Sequence, residues 1–270
     1  MANTDTKFVG PVPEIYDRFM VPLVFQPYAE DMAARVAALH PLQVLETAAG
    51  SGVVTRALAP QLAADARFVV SDLNGAMLDQ AKARQGEDAR IEWLVANALD
   101  LPFDDARFDV LFCQFGAMFF PDRTKGYAEA RRVLKPGAPF IFNVWDSLAH
   151  NDIPAVMWSA VKAHYPKNPP QFFERMPHGY YDQTVIRRDL EAAGFAEINI
   201  EIVTRQSHAA SARDAAIALT QGTPLRMELA ERDPGGLDAV TDATEAALRQ
   251  RFGAGPIVGK IQALVITARA

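Results

Sequence analysis

One short stretch, residues 44–55, decides the fold: Val44-Leu45-Glu46-Thr47-Ala48-Ala49-Gly50-Ser51-Gly52-Val53-Val54-Thr55. The apolar residues Leu42, Val44 and Leu45 predict a short buried strand, and the spacing of apolar residues from Val53 to Leu62 predicts a helix. The small residues between them predict a turn, where Gly50 and Gly52 let the backbone approach a ligand closely. The helix that follows points unpaired N–H groups over this turn. The stretch therefore predicts a nucleotide-type site.

The residue types in this turn indicate which ligand it suits. A dinucleotide site requires the spacing G-x-G-x-x-G, whereas the small residues here are Ala48, Gly50 and Gly52, two positions apart. Glu46, at the end of the strand, would repel a pyrophosphate but attract an ammonium group. A second predicted strand ends at Asp72, an acid that can accept both hydroxyls of a ribose. S-adenosylmethionine, with its amino group and no phosphate, fits this combination better than a turn that binds nothing.

Composition limits the class of protein. The chain has 270 residues, of which 50% are hydrophobic, and this is enough to bury a large core. A net charge of −6 without a lysine-rich block argues against nucleic acid as a partner and favours a small-molecule acceptor. The single cysteine, Cys113, the absence of a signal-like N-terminus and the lack of a transmembrane segment predict a cytoplasmic protein. The sequence does not indicate an oligomeric state.

Apolar runs alternate with helical patterns after the turn. Further strands are predicted at 67–72, 91–96, 108–113 and 139–145, with helices that begin after Asn74 and span 124–134. This alternation predicts an α/β fold with a doubly wound, mostly parallel sheet, whose ligands bind at the carboxyl ends of the strands. Asn97, after the third strand, can pair with an adenine edge, or it can simply form a turn.

Several short motifs occur in a characteristic order. They are Glu46…Gly50-Ser51-Gly52, Asp72-Leu73-Asn74-Gly75-Ala76-Met77-Leu78, Asn97-Ala98…Leu101-Pro102-Phe103, Phe108-Asp109 and Arg132-Val133-Leu134-Lys135-Pro136-Gly137. Together they cover about residues 40–146, and their order resembles class I S-adenosylmethionine-dependent methyltransferases. The branch they are most similar to includes the ubiquinone/menaquinone-biosynthesis methyltransferases, also called methyltransferase type 11.

The resemblance implies a seven-stranded, Rossmann-like methyltransferase fold with a helical cap and an antiparallel last strand. It also implies a role for each matching residue. The methionine part of the cofactor is lined by Glu46, Ala48, Gly50 and Gly52, and the ribose is bound by Asp72. The adenine is flanked by Leu73 and Met77, with Asn97 and Ala98 at its edge, and the sulfur lies beside Gln114 and Phe115. The chain departs from the family at Ala48, where glycine is usual, and at Asn97, where aspartate is frequent.

The predicted organisation places the cofactor-binding core between segments of other character. An N-terminal helical flap covers 1–40, with a leader from Phe8 to Pro13, although its aromatic residues can also serve as packing alone. The remaining segments are the core at 41–146, a cap insertion at 147–181, the core continued at 182–203, a helical insertion at 204–256 and the last core strand at 257–270.

Acceptor choice is expected in the segments that follow the core motifs. Aromatic residues and prolines are concentrated in 147–181, and this predicts irregular backbone and an apolar pocket wall over the sheet. The expected lining residues are Phe115, Trp145 and some of Trp158, Phe172, Phe173 and Tyr180. Methyl transfer mainly requires alignment, and direct displacement needs no covalent enzyme intermediate. If a base is needed, the candidates are His150, His178, His208 and Asp146, but nothing in the sequence distinguishes one of them from an ordinary structural residue. Their spacing predicts no metal site.

Two other classes of function remain open at this point. A nicotinamide-dependent oxidoreductase would share the fold, but it would need the missing G-x-G-x-x-G motif. A non-catalytic S-adenosylmethionine-binding protein would keep the turn and Asp72 but would lack an open acceptor pocket.

Overall fold

The chain forms two compact units. The computed structural model describes residues 12–269. A core unit contains residues 28–145, 180–203 and 263–269, and a helical unit contains residues 12–27, 146–179 and 204–262. Residues 1–11, with most of the predicted leader from Phe8 to Pro13, lie outside the described part.

Seven strands form one sheet, with the order β3-β2-β1-β4-β5-β7-β6. The pairs β1–β2, β1–β4, β2–β3 and β4–β5 are parallel, whereas β7 runs antiparallel to β5. The predicted mostly parallel, seven-stranded sheet with an antiparallel last strand is therefore confirmed. The strands are β1 Gln43–Glu46, β2 Arg67–Asp72, β3 Ile91–Val95, β4 Val110–Gln114, β5 Pro139–Trp145, β6 Glu197–Ala209 and β7 Ile257–Arg269.

Helices follow or precede most strands. A π-type helix, Tyr16–Phe25, joins the first two α-helices, and Tyr16 and Phe25 stack with ring centroids 5.0 Å apart. The α-helices are α1 Val12–Ile15, α2 Gln26–Ala37, α3 Val53–Leu58, α4 Gly75–Gln85, α5 Arg123–Val133, α6 Asp152–His164, α7 Phe172–Arg175, α8 Gln183–Ala192, α9 Ala212–Gln221, α10 Leu225–Arg232 and α11 Leu237–Phe252. Within residues 12–269, no helix combines the length and the apolar character that a membrane span requires.

The centre of the core unit is the middle of the sheet. All seven residues of β5 and the first four of β4 are buried. Such continuous apolar runs are expected where a parallel strand is covered on both faces. The strand order reverses between β1 and β4, so the carboxyl ends of these two strands border the crevice where doubly wound sheets bind ligands.

Two elements differ from the sequence-based expectation. The first part of the predicted irregular segment at 147–181 is a regular helix, α6, in which Ile153, Met157 and Val161 are buried at spacings of four. Pro154 does not disrupt this helix because it lies in the first turn, where no intrahelical N–H bond is lost. Strand β6 also continues beyond residue 203, where the predicted core segment ends.

The aromatic residues predicted to line an acceptor pocket are all buried. In the core unit, Phe115 stacks on Trp145. In the helical unit, Trp158 and Phe173 pack with ring centroids 5.5 Å apart, and Phe172 contacts Phe173 edge-on. The cap role of residues 147–181 stays a prediction, and so do the other segment boundaries.

Candidate functional site

The turn after β1 has an unusual backbone. Ala48, Gly50 and Gly52 all adopt the left-handed conformation, with φ of 53°, 57° and 75°. Gly52 is also the N-cap of α3, so it leaves the first N–H groups of this helix without a side-chain acceptor. Because the left-handed conformation disfavours residues with a Cβ, the two glycines are required by the shape of this turn.

Asp72, at the end of β2, accepts hydrogen bonds from the turn after β1 and from the turn after β2. One carboxylate oxygen accepts the Gly50 N–H at 2.8 Å, and the other accepts the Asn74 N–H at 2.7 Å. Burial raises the pKa of Asp72 above its usual value, although these backbone bonds oppose the shift. Since each oxygen has two lone pairs, each can still accept a hydrogen bond from a hydroxyl group of a ligand. This geometry suits the predicted binding of a ribose.

Glu46 lies beneath the turn and is almost fully buried, with 1% exposure. Burial raises the pKa of its carboxyl group to about 8, and the neighbouring Asp72 contributes to the rise. The Thr55 hydroxyl opposes the shift by donating a hydrogen bond to Oε2 at 2.5 Å. At neutral pH the group is therefore mostly protonated, and a cation placed beside it would favour the ionised form.

A second strained residue lies at the end of β4. Phe115 has φ of 51°, which is rare for an aromatic residue. Its N–H donates to the Oδ1 atom of Asn143 on β5 at 2.8 Å. Its ring stacks on Trp145 with centroids 3.8 Å apart, and Tyr28 contacts both rings edge-on. Packing and this side-chain hydrogen bond together hold Phe115 in its strained conformation.

The departure at Ala48 is matched by a glycine in the segment after β4. A Cβ atom at Gly116 would lie 2.4 Å from the Ala48 methyl group and 2.7 Å from the sulfur of Cys113. The methyl group therefore fits because position 116 carries no side chain. The turn keeps its shape despite the missing glycine, at the cost of left-handed backbone strain at Ala48.

The predicted adenine-flanking residues differ in exposure. Leu73 is 63% exposed, whereas Met77 is buried. Asn97 is exposed, and its Oδ1 atom accepts the Leu99 N–H at 3.0 Å, so it forms the turn that the sequence left as an alternative. Ala98, next to Asn97, is half-buried.

Three of the four candidate bases meet in the helical unit. The Asp146 carboxylate lies 3.2 Å from Nδ1 of the half-exposed His150. The buried His178 donates through Nδ1 to the Asp146 backbone carbonyl at 2.8 Å, and burial lowers its pKa to about 4. His208 is exposed on β6 and is not hydrogen-bonded to any of these groups among the described residues.

Two polar side chains near the turn have buried atoms without a partner. They are the Ser51 hydroxyl and both amide atoms of Gln114, and none of these atoms has a hydrogen-bond partner within residues 12–269. Buried polar groups are almost always paired in folded proteins, so unpaired ones indicate a place for a ligand or a water. Gln114 was predicted from the sequence as a site residue, whereas Ser51, Thr55 and Asn143 were not. In the described part, no group of three acidic, histidine or cysteine side chains could hold a metal ion.

The sheet and the turn together define the class of protein. A mostly parallel seven-stranded sheet with an antiparallel strand beside β5, and an acid-flanked glycine turn after β1, form the Rossmann-like methyltransferase fold. Residues 23–151 match the ubiE/COQ5 methyltransferase family. The predicted resemblance to the ubiquinone/menaquinone branch of class I methyltransferases is thereby confirmed.

Individual proteins give the same result. A demethylmenaquinone methyltransferase of Clavibacter sepedonicus is 39% identical over 99 residues, which are 37% of this chain and 39% of that protein. A ubiquinone/menaquinone biosynthesis C-methyltransferase of Idiomarina loihiensis is 27% identical over 60% of this chain and 70% of its own length. The chain thus matches less than half of the Clavibacter relative.

A solved structure extends the similarity of fold over the whole chain. A SAM-dependent methyltransferase of Thermotoga maritima superimposes with a TM-score of 0.58, and the match covers 100% of this chain and 99% of that one. At 15% sequence identity this similarity concerns the fold alone.

Proposed function

We propose that this protein is an S-adenosylmethionine-dependent methyltransferase that acts on a small apolar or aromatic molecule by direct methyl transfer. The observation that carries the proposal is the turn after β1, where the Asp72 carboxylate holds the Gly50 N–H beside the left-handed backbone of Gly52. The match of residues 23–151 to a methyltransferase family supports it.

The residues around the turn fit this cofactor. Asp72 retains acceptor capacity for two ribose hydroxyls, and the buried, unpartnered Ser51 hydroxyl offers a further polar partner. Glu46 would release its proton beside a cationic ligand, because an opposite charge favours the ionised form of a carboxyl group.

Each residue contributes position rather than covalent chemistry. When bound, S-adenosylmethionine supplies a methyl group on a positively charged sulfur. Asp72 would fix the ribose, while the turn from Ala48 to Gly52 would hold the methionine part in one orientation. The rate then depends on aligning the acceptor atom with the methyl group, which protein groups do by restricting motion before reaction. The aromatic faces of Phe115 and Trp145 attract a positive charge without competing as nucleophiles.

The acceptor is proposed to be a quinone-like or other aromatic small molecule. The names of the two relatives refer to demethylmenaquinone and to ubiquinone/menaquinone biosynthesis. In this chain, the cluster of Phe115, Trp145 and Tyr28 near the end of β4 supports an aromatic acceptor.

Calorimetric titration tests the cofactor assignment. We expect S-adenosylmethionine and S-adenosylhomocysteine to bind with one site per chain, and NAD to give no signal. Binding of NAD without a response to S-adenosylhomocysteine would disprove the proposal and would favour an oxidoreductase. Transfer of labelled methyl groups to extracted quinones then separates an enzyme from a non-catalytic binding protein.

A further inference from the structure

Gln114 is the last residue of β4, and its side chain ends in a buried amide. Neither Nε2 nor Oε1 has a hydrogen-bond partner among the described residues, although both atoms are inaccessible to solvent. In the sheet, Gln114 is paired with Asn143 of β5. A buried amide without partners costs free energy that an apolar side chain of similar size would not cost. A residue of this kind at a ligand-binding edge is expected to find its partners in the ligand.

The position of Gln114 indicates which ligand supplies these partners. The cofactor residues Glu46 and Asp72 end β1 and β2, so the ribose lies on the β2 side of the point where the strand order reverses. Gln114 lies on the other side of β1, on β4. On that side the next residue, Phe115, is held in a strained conformation against Trp145 of β5. Local strain of this type is found at binding sites, where it aims a side chain. If the cofactor binds at Glu46 and Asp72, Gln114 and these flat rings would border the region beyond its sulfur.

The chemistry of an amide limits what can satisfy it. Nε2 donates hydrogen bonds and Oε1 accepts them, side by side in one plane. A hydrocarbon satisfies neither atom, and a carboxylate, which only accepts, leaves Oε1 unpaired. A donor next to an acceptor, such as a hydroxyl or N–H beside a carbonyl, satisfies both.

We propose that Gln114 determines acceptor specificity by selecting flat molecules that present a hydrogen-bond donor beside a carbonyl group. The inference rests on the proposed methyltransferase function and refines it: the acceptor is aromatic, but one edge of it is polar. Nε2 donates to the acceptor carbonyl, and Oε1 accepts the adjacent hydroxyl or N–H. Gln114 positions the acceptor and takes no part in bond making.

Two bicyclic probes test this selection. 2-Quinolone carries an N–H beside its carbonyl, whereas coumarin has a ring oxygen at the same place and is otherwise nearly identical. Both are titrated against the full chain saturated with S-adenosylhomocysteine, using tryptophan fluorescence. We expect the parent protein to prefer 2-quinolone by at least about tenfold, because coumarin leaves Oε1 unpaired. In Gln114→Met, which keeps the length of the side chain, the ratio of the two dissociation constants should fall to about one. Gln61→Leu, at an exposed glutamine, should keep the parent ratio.

Stability gives an independent reading that a merely structural glutamine would not give. Because the amide is unsatisfied within the fold, Gln114→Met and Gln114→Leu should melt at the same temperature as the parent or higher. A fall in melting temperature, or failure of both variants to fold, would mean that the fold itself satisfies the amide, and would overturn the inference. So would a parent protein that binds neither probe, or a Gln114→Met variant that still prefers 2-quinolone. If S-adenosylhomocysteine fails to bind the parent, the proposed function fails, but the melting temperatures still decide whether the Gln114 amide is unsatisfied.

Discussion

Replacing Glu46 by glutamine should change how the stability of the protein depends on pH. The carboxyl group is buried with 1% exposure, and burial raises its pKa from 4.5 to about 8. The folded protein therefore binds this proton more tightly than the unfolded chain. Stability due to the protonated group is complete below pH 4.5 and is lost as the pH rises through about 8.

The magnitude follows from the same two values. Each pKa unit corresponds to about 1.4 kcal/mol, so the rise from 4.5 to about 8 gives a loss of about 4–5 kcal/mol between these pH values. This is a large part of the total stability of a typical domain, which is about 5–15 kcal/mol. Glu46→Gln removes the titration but keeps an oxygen that can accept the Thr55 hydroxyl. The variant should therefore be as stable as the parent near pH 5 and more stable at pH 8.

Urea denaturation at several pH values between 5 and 8 measures this difference. The gap between Glu46→Gln and the parent should widen with pH by several kcal/mol, whereas the exposed control Glu87→Gln should follow the parent. Parallel curves for Glu46→Gln and the parent would show that Glu46 is ionised in the folded protein. The account of a protonated carboxyl group beneath the turn would then be wrong.

Three further outcomes are expected from the described geometry. Ala48→Gly should raise the free energy of unfolding by about 0.5–1 kcal/mol, because glycine adopts a φ of 53° without strain. Gly50→Ala, at a φ of 57°, should lower the free energy of unfolding by about 1 kcal/mol for the opposite reason. Urea denaturation in which both variants change stability with the same sign would contradict this. Asp72→Asn should weaken binding of S-adenosylhomocysteine by at least about tenfold in calorimetry without unfolding the protein. An unchanged dissociation constant would show that Asp72 does not bind the cofactor. Since burial lowers the pKa of His178 from 6.5 to about 4, the free energy of unfolding of the parent should fall by about 3 kcal/mol as the pH drops between these values. In urea denaturation, His178→Gln should not show this loss, and the control His208→Gln, at an exposed histidine, should behave like the parent.

Much of the sheet could be predicted from local sequence. The bounds of β2, Arg67–Asp72, and of β5, Pro139–Trp145, coincide with those expected from apolar runs between turn residues. The end of β6 could not be predicted, since its polar residues beyond Val203 interrupt the apolar pattern. At the edge of a sheet such residues are tolerated, and Thr204, Gln206 and His208 are exposed.

The candidate site was only partly visible in the sequence for a physical reason. The glycine turn and Asp72 have a fixed spacing, which short-range patterns can recognise. The hydrogen bond from Phe115 to Asn143 joins residues 28 positions apart, and only the pairing of β4 with β5 brings them together. Likewise, Ala48 fits because position 116 is a glycine, a compensation between the segments that follow β1 and β4. The protonation of Glu46 depends on burial by distant residues, so its charge could not be inferred from its position alone.

Strain and unsatisfied polarity coincide at one place in the core unit. Of four non-glycine residues with positive φ among residues 12–269, two, Ala48 and Phe115, follow the adjacent strands β1 and β4. The buried, unpartnered atoms of Ser51 and Gln114 belong to the same two segments. A chain that only had to be stable would do better with glycine at position 48 and an apolar residue at position 114. Natural proteins keep such locally unfavourable choices mainly where a ligand supplies the missing interactions. Binding of a ligand in the crevice between the ends of β1 and β4 would account for these choices, which stability alone does not.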